Sequence, residues 1–149
     1  MNNTDVLIQS VLFVCSYNAV RSPMAAEMLR WRSGGKLYVR SCGVQEGGET
    51  DVFANEVMKE LGLDISGHVP VLFKDLDDGA FDLIVAMSPD AMHHMKAETR
   101  TESVDIEYWP TYDATVERGS RDHRLSAYRE VREQIDQKIK KRFHSLMTF

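Results

Sequence analysis

A short apolar segment, followed by a polar turn and a helix start, constrains this chain more than any other part of its sequence. Residues 11–14 are apolar and largely β-branched or aromatic, which predicts a buried strand of a parallel sheet. A helix is predicted to begin at about Ser22, because serine is a good N-cap and Pro23 suits the first helical position. The turn between them starts at Cys15 and leads into a helix N-terminus, where unpaired backbone N–H groups and the helix dipole favour an anion.

Strand and helix patterns alternate along the rest of the chain. Further strands are predicted near residues 37–40, 81–87 and 104–109, and further helices near residues 50–61, 89–97 and 121–147. This alternation is typical of an open parallel α/β sheet. Such sheets bind ligands beyond the carboxyl ends of their strands, where the strand order reverses, and Cys15 is well placed for this.

Cys15 and Arg21 stand six positions apart in the turn. A free thiol has a pKa of ~8.5, so it needs positive surroundings to react as a thiolate near neutrality. The helix end, Arg21 and the Ser22 hydroxyl supply such surroundings, and a planar guanidinium binds two phosphoryl oxygens at once. The turn therefore predicts thiolate attack on a phosphoryl group. The alternative is a buried cysteine, an exposed arginine and an ordinary helix start.

The turn resembles the phosphate-binding loop of the low-molecular-weight protein tyrosine phosphatases, in particular their bacterial-type members. That loop has cysteine, five residues, arginine and serine, commonly followed by Pro-Met-Ala and an acidic residue. This chain has Cys15, Arg21 and then SPMAAE at residues 22–27. The resemblance implies a single-domain, doubly wound α/β fold with four parallel strands in the order 2-1-3-4 and helices on both faces. It also implies a phosphomonoester hydrolase that acts on phosphotyrosine or aryl phosphates through a cysteinyl-phosphate intermediate.

The leaving oxygen of a phosphomonoester needs a proton, so a carboxyl group is expected near the thiol. The resemblance implies an aspartate in the loop after the fourth strand, and Asp113 is the best match, with Ala114 where the family has proline. Asp113 would protonate the leaving oxygen in the first step and activate water in the second. The alternative is a turn or capping aspartate. Three other carboxyl groups compete for the role, those of Asp90, Asp105 and Asp122.

The resemblance also assigns residues that hold the phosphate and shape the loop. The phosphate-binding loop is Ser16, Tyr17, Asn18, Ala19, Val20, Arg21 and Ser22. The supporting network is Asn18, Ser22, Ser41 and His68. Asn18 tolerates a left-handed backbone conformation, and Ser22 would donate a hydrogen bond to the thiolate. For Ser41 and His68, an ordinary strand-end serine and a structural histidine are the alternatives.

Three departures from the family bear on redox chemistry and on the substrate. Val20 stands where many members have a second cysteine, so no disulfide can form inside the loop. Tyr17 stands where a small residue is common, and it either covers the site mouth, contacts a ligand or packs outward. Residues 44–50 and 114–115 lack the aromatic walls of eukaryotic-type members, which leaves a preference for phosphotyrosine open. Other aromatic side chains available as a wall are Tyr17, Trp109 and Tyr112.

Two other functions stay open. An arsenate reductase of the same fold relays oxidation through two further cysteines, but this chain has only Cys15 and Cys42. A reductase that uses glutathione or mycothiol needs no relay pair and is compatible with the sequence. A non-catalytic phosphate- or phosphopeptide-binding module would keep the loop and have no need of Asp113.

Length and charge narrow the remaining classes. The chain has 149 residues, 43% of them apolar, which suits one domain over residues 1–149 with a loose N-terminal extension over residues 1–10. A net charge of −5, without a basic stripe, argues against nucleic acid, and no apolar run is long enough to span a membrane. Two cysteines and no signal-peptide pattern favour the cytoplasm.

The expected chemistry needs no metal and no other cofactor. The expected ligands are a phosphorylated protein or a small aryl phosphate as substrate, with inorganic phosphate as product and inhibitor. We expect the chain to be a monomer or a weak dimer.

Overall fold

Four strands and four helices alternate in the computed structural model, which describes residues 8–77, 80–100 and 102–147. The strands are β1 (Ser10–Cys15), β2 (Tyr38–Gly43), β3 (Leu83–Ala86) and β4 (Asp105–Tyr108). The helices are α1 (Arg21–Arg32), α2 (Val52–Lys59), α3 (Pro89–Thr99) and α4 (Arg121–Arg142). Short 3₁₀ turns cover Phe73–Asp75, Ala114–Val116 and His144–Leu146.

The strands form one parallel sheet in the order β2-β1-β3-β4, which confirms the predicted topology. The register pairs Cys15 with Gly43 of β2 on one side, and Val14 with Ala86 of β3 on the other. The strand order reverses beside β1, since β2 lies on one side of it and β3 and β4 lie on the other. The carboxyl end of β1 is therefore the position where a ligand site is expected.

Helices cover both faces of the sheet, as predicted. On one face, α1, α2 and α4 pack against Phe13 and Cys15 of β1. On the other face, α3 packs against Leu12 and Val14. None of residues 11–15 is more than 2% exposed. Burial on both faces explains why β1 is a continuous apolar run and not an alternating one.

The first helix begins two residues earlier than the predicted cap at Ser22 implies, and Ser22 does not cap it. Val20 occupies the N-cap position without a side-chain hydrogen bond, so Pro23 is the third helical residue and not the first. The Ser22 hydroxyl lies 2.9 Å from the Cys15 sulfur and accepts a hydrogen bond from Asn18. The predicted cap was wrong because this hydroxyl is bonded inside the loop.

Several other helix ends also differ from the predicted ones. α4 ends at Arg142 and a separate 3₁₀ turn follows, so the helix predicted to reach residue 147 was too long. α2 begins at Val52 because the carboxylate of Asp51 caps it, accepting hydrogen bonds from two N–H groups of the first turn. α2 ends at Lys59, so its predicted end near residue 61 was two residues too late, although Gly62 has a positive φ of +79°.

The predicted loose extension over residues 1–10 falls largely on residues 1–7, which lie outside the described residues. Its last part is wrong, because Ile8 is only 4% exposed in the core and Ser10 begins β1. That the whole chain forms one domain stays a prediction. None of the helices in the described ranges is long and apolar enough to cross a membrane.

Candidate active site

The loop between β1 and α1 closes the carboxyl end of the central strand. Cys15 is the last residue of β1, and Arg21 is the first residue of α1. The Cys15 residue is 2% exposed and Arg21 is 8% exposed, so both side chains are held within the loop. The helix N-terminus adds unpaired N–H groups and a positive dipole end to this loop. The structure therefore brings the predicted thiol and guanidinium together at an anion-binding position.

Two polar groups contact the Cys15 sulfur. The backbone N–H of Asn18 donates to it at 3.3 Å, and the Ser22 hydroxyl oxygen lies 2.9 Å from it. Ser22 accepts a hydrogen bond from the Asn18 side chain at 2.8 Å, and the alternative acceptor for its own proton, the Cys42 carbonyl, is farther away at 3.4 Å. The sulfur is thus the nearer of the two acceptors open to the Ser22 proton. Hydrogen bonds of this kind favour the anionic form of a thiol.

Asn18 is the centre of the supporting network. Its φ of +57° is in the left-handed region, as predicted for this residue. Its amide nitrogen donates to Ser22 at 2.8 Å and to Ser41 at 3.0 Å. Its amide oxygen accepts from the Val71 N–H at 3.0 Å and lies 3.0 Å from Nε2 of His68. Asn18 is thus in direct contact with the other three residues of the predicted network.

The contacts of His68 fix its protonation. Its Nε2 lies 3.0 Å from the backbone oxygen of Asn18 and 3.0 Å from the side-chain oxygen of the same residue. Both oxygens only accept, so Nε2 carries the proton. Burial lowers the pKa of His68, and the charges of Arg30 and Arg40 lower it further, against an opposing effect of the Asn18 backbone hydrogen bond. His68 therefore supports the loop as a neutral donor.

The low pKa of His68 predicts a pH-dependent loss of stability. The unfolded chain takes up a proton near its ordinary pKa of 6.5, whereas folded His68 does so only at lower pH. Above the unfolded-state pKa of 6.5, His68 is neutral in both the folded and the unfolded protein. Below it, protonation of the unfolded chain favours unfolding. Urea unfolding from about pH 8 to about pH 5 should therefore show wild type losing stability relative to His68→Gln, which keeps an N–H donor and does not titrate. A difference that stays constant across this range would contradict the expectation.

Arg21 joins the loop to the segment that follows β4. Its Nη1 donates to the carbonyl of Thr111 at 3.2 Å, and its Nη2 donates to the Ser16 hydroxyl at 3.5 Å. The guanidinium is thus held between Ser16, at the start of the loop, and Thr111, in the segment after β4. The segment that carries Asp113 is therefore in contact with the loop through its backbone.

Asp113 has a capping role in the structure. It is the N-cap of the 3₁₀ turn Ala114–Val116, and its Oδ1 accepts from the Thr115 N–H at 3.0 Å and from the Thr115 hydroxyl at 2.6 Å. It lies two residues after Thr111, whose carbonyl binds Arg21. Both contacts fall on Oδ1, so the capping role does not exclude a role of the same carboxyl group in proton transfer. Its part in proton transfer stays a prediction.

The three competing carboxyl groups are placed less well. Asp105 begins β4 and pairs with Leu83, so it lies at the amino end of its strand, whereas Cys15 lies at a carboxyl end. Asp122 is exposed in the first turn of α4. Both oxygens of Asp90 are occupied by hydrogen bonds from neighbouring groups. That Asp113 is the acid among the four stays a prediction.

Two carboxylate residues that bind the loop were not predicted as parts of it. Asp90 accepts a hydrogen bond from the Ser16 hydroxyl at 2.8 Å. The backbone N–H of Asp51 donates to the carbonyl of Ala19 at 3.0 Å, and its carboxylate accepts from the Tyr128 hydroxyl at 2.9 Å. The local sequence signal at both positions is a helix start, which predicts a cap but not contact with a distant loop.

Tyr17 lies beside the mouth of the loop. Its side chain is 45% exposed and packs on Gly47, where any Cβ would collide with the ring. It forms one wall of a cavity of about 290 Å³ that is also lined by residues 45–48 and 70–72. Trp109, in contrast, is 7% exposed and packs in the core, so it does not form the aromatic wall of the site that its sequence position suggested.

The two cysteines face opposite sides of the sheet. Cys42 in β2 lies opposite Val14, whereas Cys15 lies opposite Gly43, and neighbouring positions along a strand point to opposite faces. Cys15 accordingly belongs to the core under α1, and Cys42 belongs to the core under α3. Burial raises the pKa of the Cys42 thiol, and the charge of Cys15 raises it further. Two sulfurs that point apart cannot be bridged while the sheet is intact.

Residues 8–77, 80–100 and 102–147 contain no group of three or more His, Cys, Asp or Glu side chains that could hold a metal ion. The polar groups in contact with the Cys15 sulfur are the Asn18 N–H and the Ser22 hydroxyl.

Comparison with known proteins identifies the family. A family model for the low molecular weight phosphotyrosine protein phosphatases matches residues 10–148. The chain is 26% identical over 132 residues to the glutaredoxin arsenate reductase of Synechocystis sp., covering 89% of this chain and 94% of that protein. It is 36% identical over 93 residues to the protein-arginine-phosphatase of Geobacillus stearothermophilus, covering 54% of this chain and 63% of that protein.

A solved structure supports the same assignment. The low molecular weight protein tyrosine phosphatase from T. tengcongensis has a TM-score of 0.77 and 26% sequence identity, covering 92% of this chain and 99% of that one. The resemblance stated from the loop sequence is confirmed, because the family model spans nearly the whole chain. This chain therefore belongs to the low molecular weight phosphotyrosine protein phosphatase family.

Proposed function

We propose that this protein hydrolyses phosphomonoesters, with phosphotyrosine or an aryl phosphate as substrate, through a cysteinyl-phosphate intermediate. The observation that carries the proposal is the pair of hydrogen bonds on the Cys15 sulfur, made by the Asn18 N–H and the Ser22 hydroxyl at the N-terminus of α1. A sulfur in these surroundings is stabilised as a nucleophilic anion. The same N-terminus and Arg21 offer donors to the oxygens of a bound phosphoryl group.

The first step is an in-line displacement at phosphorus. The Cys15 thiolate forms a bond to phosphorus as the bond to the leaving oxygen breaks, and Asp113 gives that oxygen a proton. The loop N–H groups and the guanidinium of Arg21 stabilise the three equatorial oxygens of the transition state. A fixed loop places these donors before the reaction begins, which lowers the barrier without rearrangement.

The second step regenerates the enzyme. Water attacks phosphorus, Asp113 takes a proton from it, and the bond between sulfur and phosphorus breaks to release inorganic phosphate and the Cys15 thiolate. No electrons are exchanged in this cycle, so it needs no second thiol. This matches a chain whose other cysteine, Cys42, is buried on the opposite face of the sheet.

A second candidate is arsenate reduction, because curated relatives of this chain carry that name. Reducing arsenate to arsenite takes two electrons, which two thiols supply when they join in a disulfide. Cys15 is available as one of them, but Cys42 faces away from it. The other thiol would therefore come from outside, from a small thiol such as glutathione.

Exposed aromatic side chains near the loop support an aryl phosphate as the substrate. Tyr17 offers an exposed aromatic face beside the loop, which suits stacking against a phenyl ring. Tyr112 is also exposed, and its hydroxyl is bonded to Glu117 in the segment after β4. We propose a phosphorylated protein or small aryl phosphate as substrate, inorganic phosphate as inhibitor, a cytoplasmic location and a monomer or weak dimer.

One assay separates these functions. Purified protein is incubated with p-nitrophenyl phosphate, with a phosphotyrosine peptide, and with arsenate plus glutathione, while phosphate release and thiol oxidation are measured separately. We expect steady phosphate release that is blocked by vanadate or by alkylation of Cys15, with an acidic optimum because one group must be ionised while another is protonated. Thiol oxidation that depends on arsenate, without phosphate release, would instead support a reductase. Phosphate binding without either reaction would support a binding module.

A further inference from the structure

Asp90 joins two other parts of the chain to the start of the phosphate-binding loop. Its Oδ1 accepts hydrogen bonds from the Ser16 hydroxyl at 2.8 Å, the Ser88 hydroxyl at 2.5 Å and the Ala91 N–H at 3.0 Å. Its Oδ2 accepts from Nε2 of Gln45 at 2.6 Å. The loop, the segment after β2 and the N-terminus of α3 therefore meet at one carboxylate.

The contact with Asp90 sets the direction of the Ser16 hydroxyl. A hydroxyl has one proton to donate, and Ser16 donates it to Asp90, so its lone pairs are free to face Nη2 of Arg21 at 3.5 Å. The carbonyl of Ser16 is held as well, by the N–H groups of Val44 at 3.0 Å and Gln45 at 2.9 Å. Ser16 is therefore fixed at its backbone and at its side chain.

We propose that Asp90 is a positioning residue for Arg21, acting through the Ser16 hydroxyl. The guanidinium is held at two points, the Thr111 carbonyl on Nη1 and the Ser16 oxygen on Nη2. Without the carboxylate, the Ser16 hydroxyl keeps only the more distant Ser88 oxygen, at 3.3 Å, as an acceptor. Its proton is then less firmly directed away from Arg21, where a donor would compete with the guanidinium. This role concerns the proposed phosphoryl chemistry and rests on it, but it is distinct from proton transfer.

The surroundings of Asp90 keep it a carboxylate. Its burial opposes the charge, but hydrogen bonds from Ser88, Ser16, Gln45 and the Ala91 N–H outweigh this and lower its pKa below the ordinary value. The N-terminus of α3 also favours a negative charge in its first turn. A fixed charge makes the hydrogen bond to Ser16 stronger than one between neutral groups.

A double-mutant cycle tests the proposal. Asp90→Ala, Ser16→Ala and the double variant are compared for kcat and KM with p-nitrophenyl phosphate, and for the Kd of inorganic phosphate measured by calorimetry. We expect Asp90→Ala to weaken phosphate binding and lower kcat/KM by roughly tenfold to a hundredfold, because a small displacement of a binding group is costly. The double variant should be no worse than the poorer single variant, because both changes remove one connection.

Two controls make the cycle decisive. Asp90→Asn keeps an oxygen acceptor for Ser16 and should recover part of the phosphate affinity lost in Asp90→Ala. If Asp90→Ala does not fold, Asp90→Asn takes its place in the cycle, with a smaller expected loss of phosphate affinity. Asp82→Asn alters another carboxylate that accepts backbone hydrogen bonds, from Gln9 at 2.7 Å and Ser10 at 3.2 Å at the start of β1, and should leave phosphate binding unchanged.

Three results would overturn the inference. Effects of Asp90→Ala and Ser16→Ala that multiply would mean that the two residues act separately. Unchanged phosphate affinity in Asp90→Ala would remove the link to Arg21. A lower melting temperature with unaltered kinetics would assign Asp90 a purely structural role. If wild type shows no turnover at all, the proposed hydrolysis fails, but the phosphate Kd values still decide whether Asp90 positions Arg21.

Discussion

Replacing Cys15 with serine is expected to abolish turnover while the protein remains folded. A serine hydroxyl at this position is not ionised near neutral pH and is a far weaker nucleophile than a thiolate. The loss should be on the order of 10⁴-fold or more, as is typical when the nucleophile of a covalent mechanism is removed. The measurement is the rate of p-nitrophenol release from p-nitrophenyl phosphate with purified Cys15→Ser, with circular dichroism to confirm the fold.

The matched control for this variant is Cys42→Ser. Cys42 is the other cysteine of the chain, and it is fully buried away from the loop in the core under α3. We expect Cys42→Ser to keep kcat and to lose some stability, because its hydroxyl is buried among apolar groups. Turnover retained in Cys15→Ser, or lost equally in Cys42→Ser, would contradict the thiolate mechanism.

Binding gives a second readout of the same variant. Cys15→Ser keeps Arg21 and the loop N–H groups, so inorganic phosphate should still bind. Loss of both turnover and phosphate binding would mean that the loop itself had collapsed, and the kinetic result would then say nothing about the nucleophile. Retained binding with no turnover assigns the loss to the missing sulfur.

The fold was predictable because its signals are local. Residues 11–14 form a continuous apolar run, and a strand that is buried on both faces needs such a run. Alternating strands and helices then restrict the chain to a few parallel topologies. The order 2-1-3-4 came from the family resemblance and not from periodicity, since pattern alone does not say which strands are neighbours.

The ends of elements were less predictable, and Ser22 shows why. A serine followed by proline is a strong cap signal in sequence. In the structure, the Asn18 side chain and the Cys15 sulfur occupy the Ser22 hydroxyl, and α1 begins at Arg21 with no side-chain cap. A tertiary contact has overridden the local preference, and sequence deviates most from local rules where a site is built.

The candidate site divides in the same way. The residues of the loop are consecutive, so a motif reveals them together. Asp90 lies 74 positions from Ser16, and Asp51 contacts Ala19 through its backbone N–H. No local sequence pattern predicts either contact. The contact of Asp90 becomes visible only when the sheet brings the carboxyl ends of β1 and β3 side by side, and that of Asp51 only when the segment after β2 folds back on the loop.

Asp113 has two possible roles, and one pair of substitutions separates them. As the N-cap of the turn Ala114–Val116, its carboxylate accepts two hydrogen bonds from Thr115. As a general acid, it would protonate the leaving oxygen, and removing such a group costs ~10²–10⁴ in rate. Asparagine is as good an N-cap as aspartate but cannot transfer a proton at neutral pH, whereas alanine provides neither function.

Asp113→Asn is therefore expected to keep the stability of wild type and to lose about 10²–10⁴ in kcat with poor leaving groups. Asp113→Ala should show the same kinetic loss and also lose about 1 kcal/mol of unfolding free energy through the missing cap. With an activated ester such as p-nitrophenyl phosphate, whose leaving group needs little protonation, the loss from the first step should be smaller. The dependence of rate on leaving-group pKa therefore becomes steeper in both variants.

Asp122→Ala, which removes an exposed carboxylate from the first turn of α4, is the control and should leave this dependence unchanged. If Asp113→Asn hydrolyses phenyl phosphate at the wild-type rate, the carboxylate serves only as a cap, and the proton must come from another group or from water.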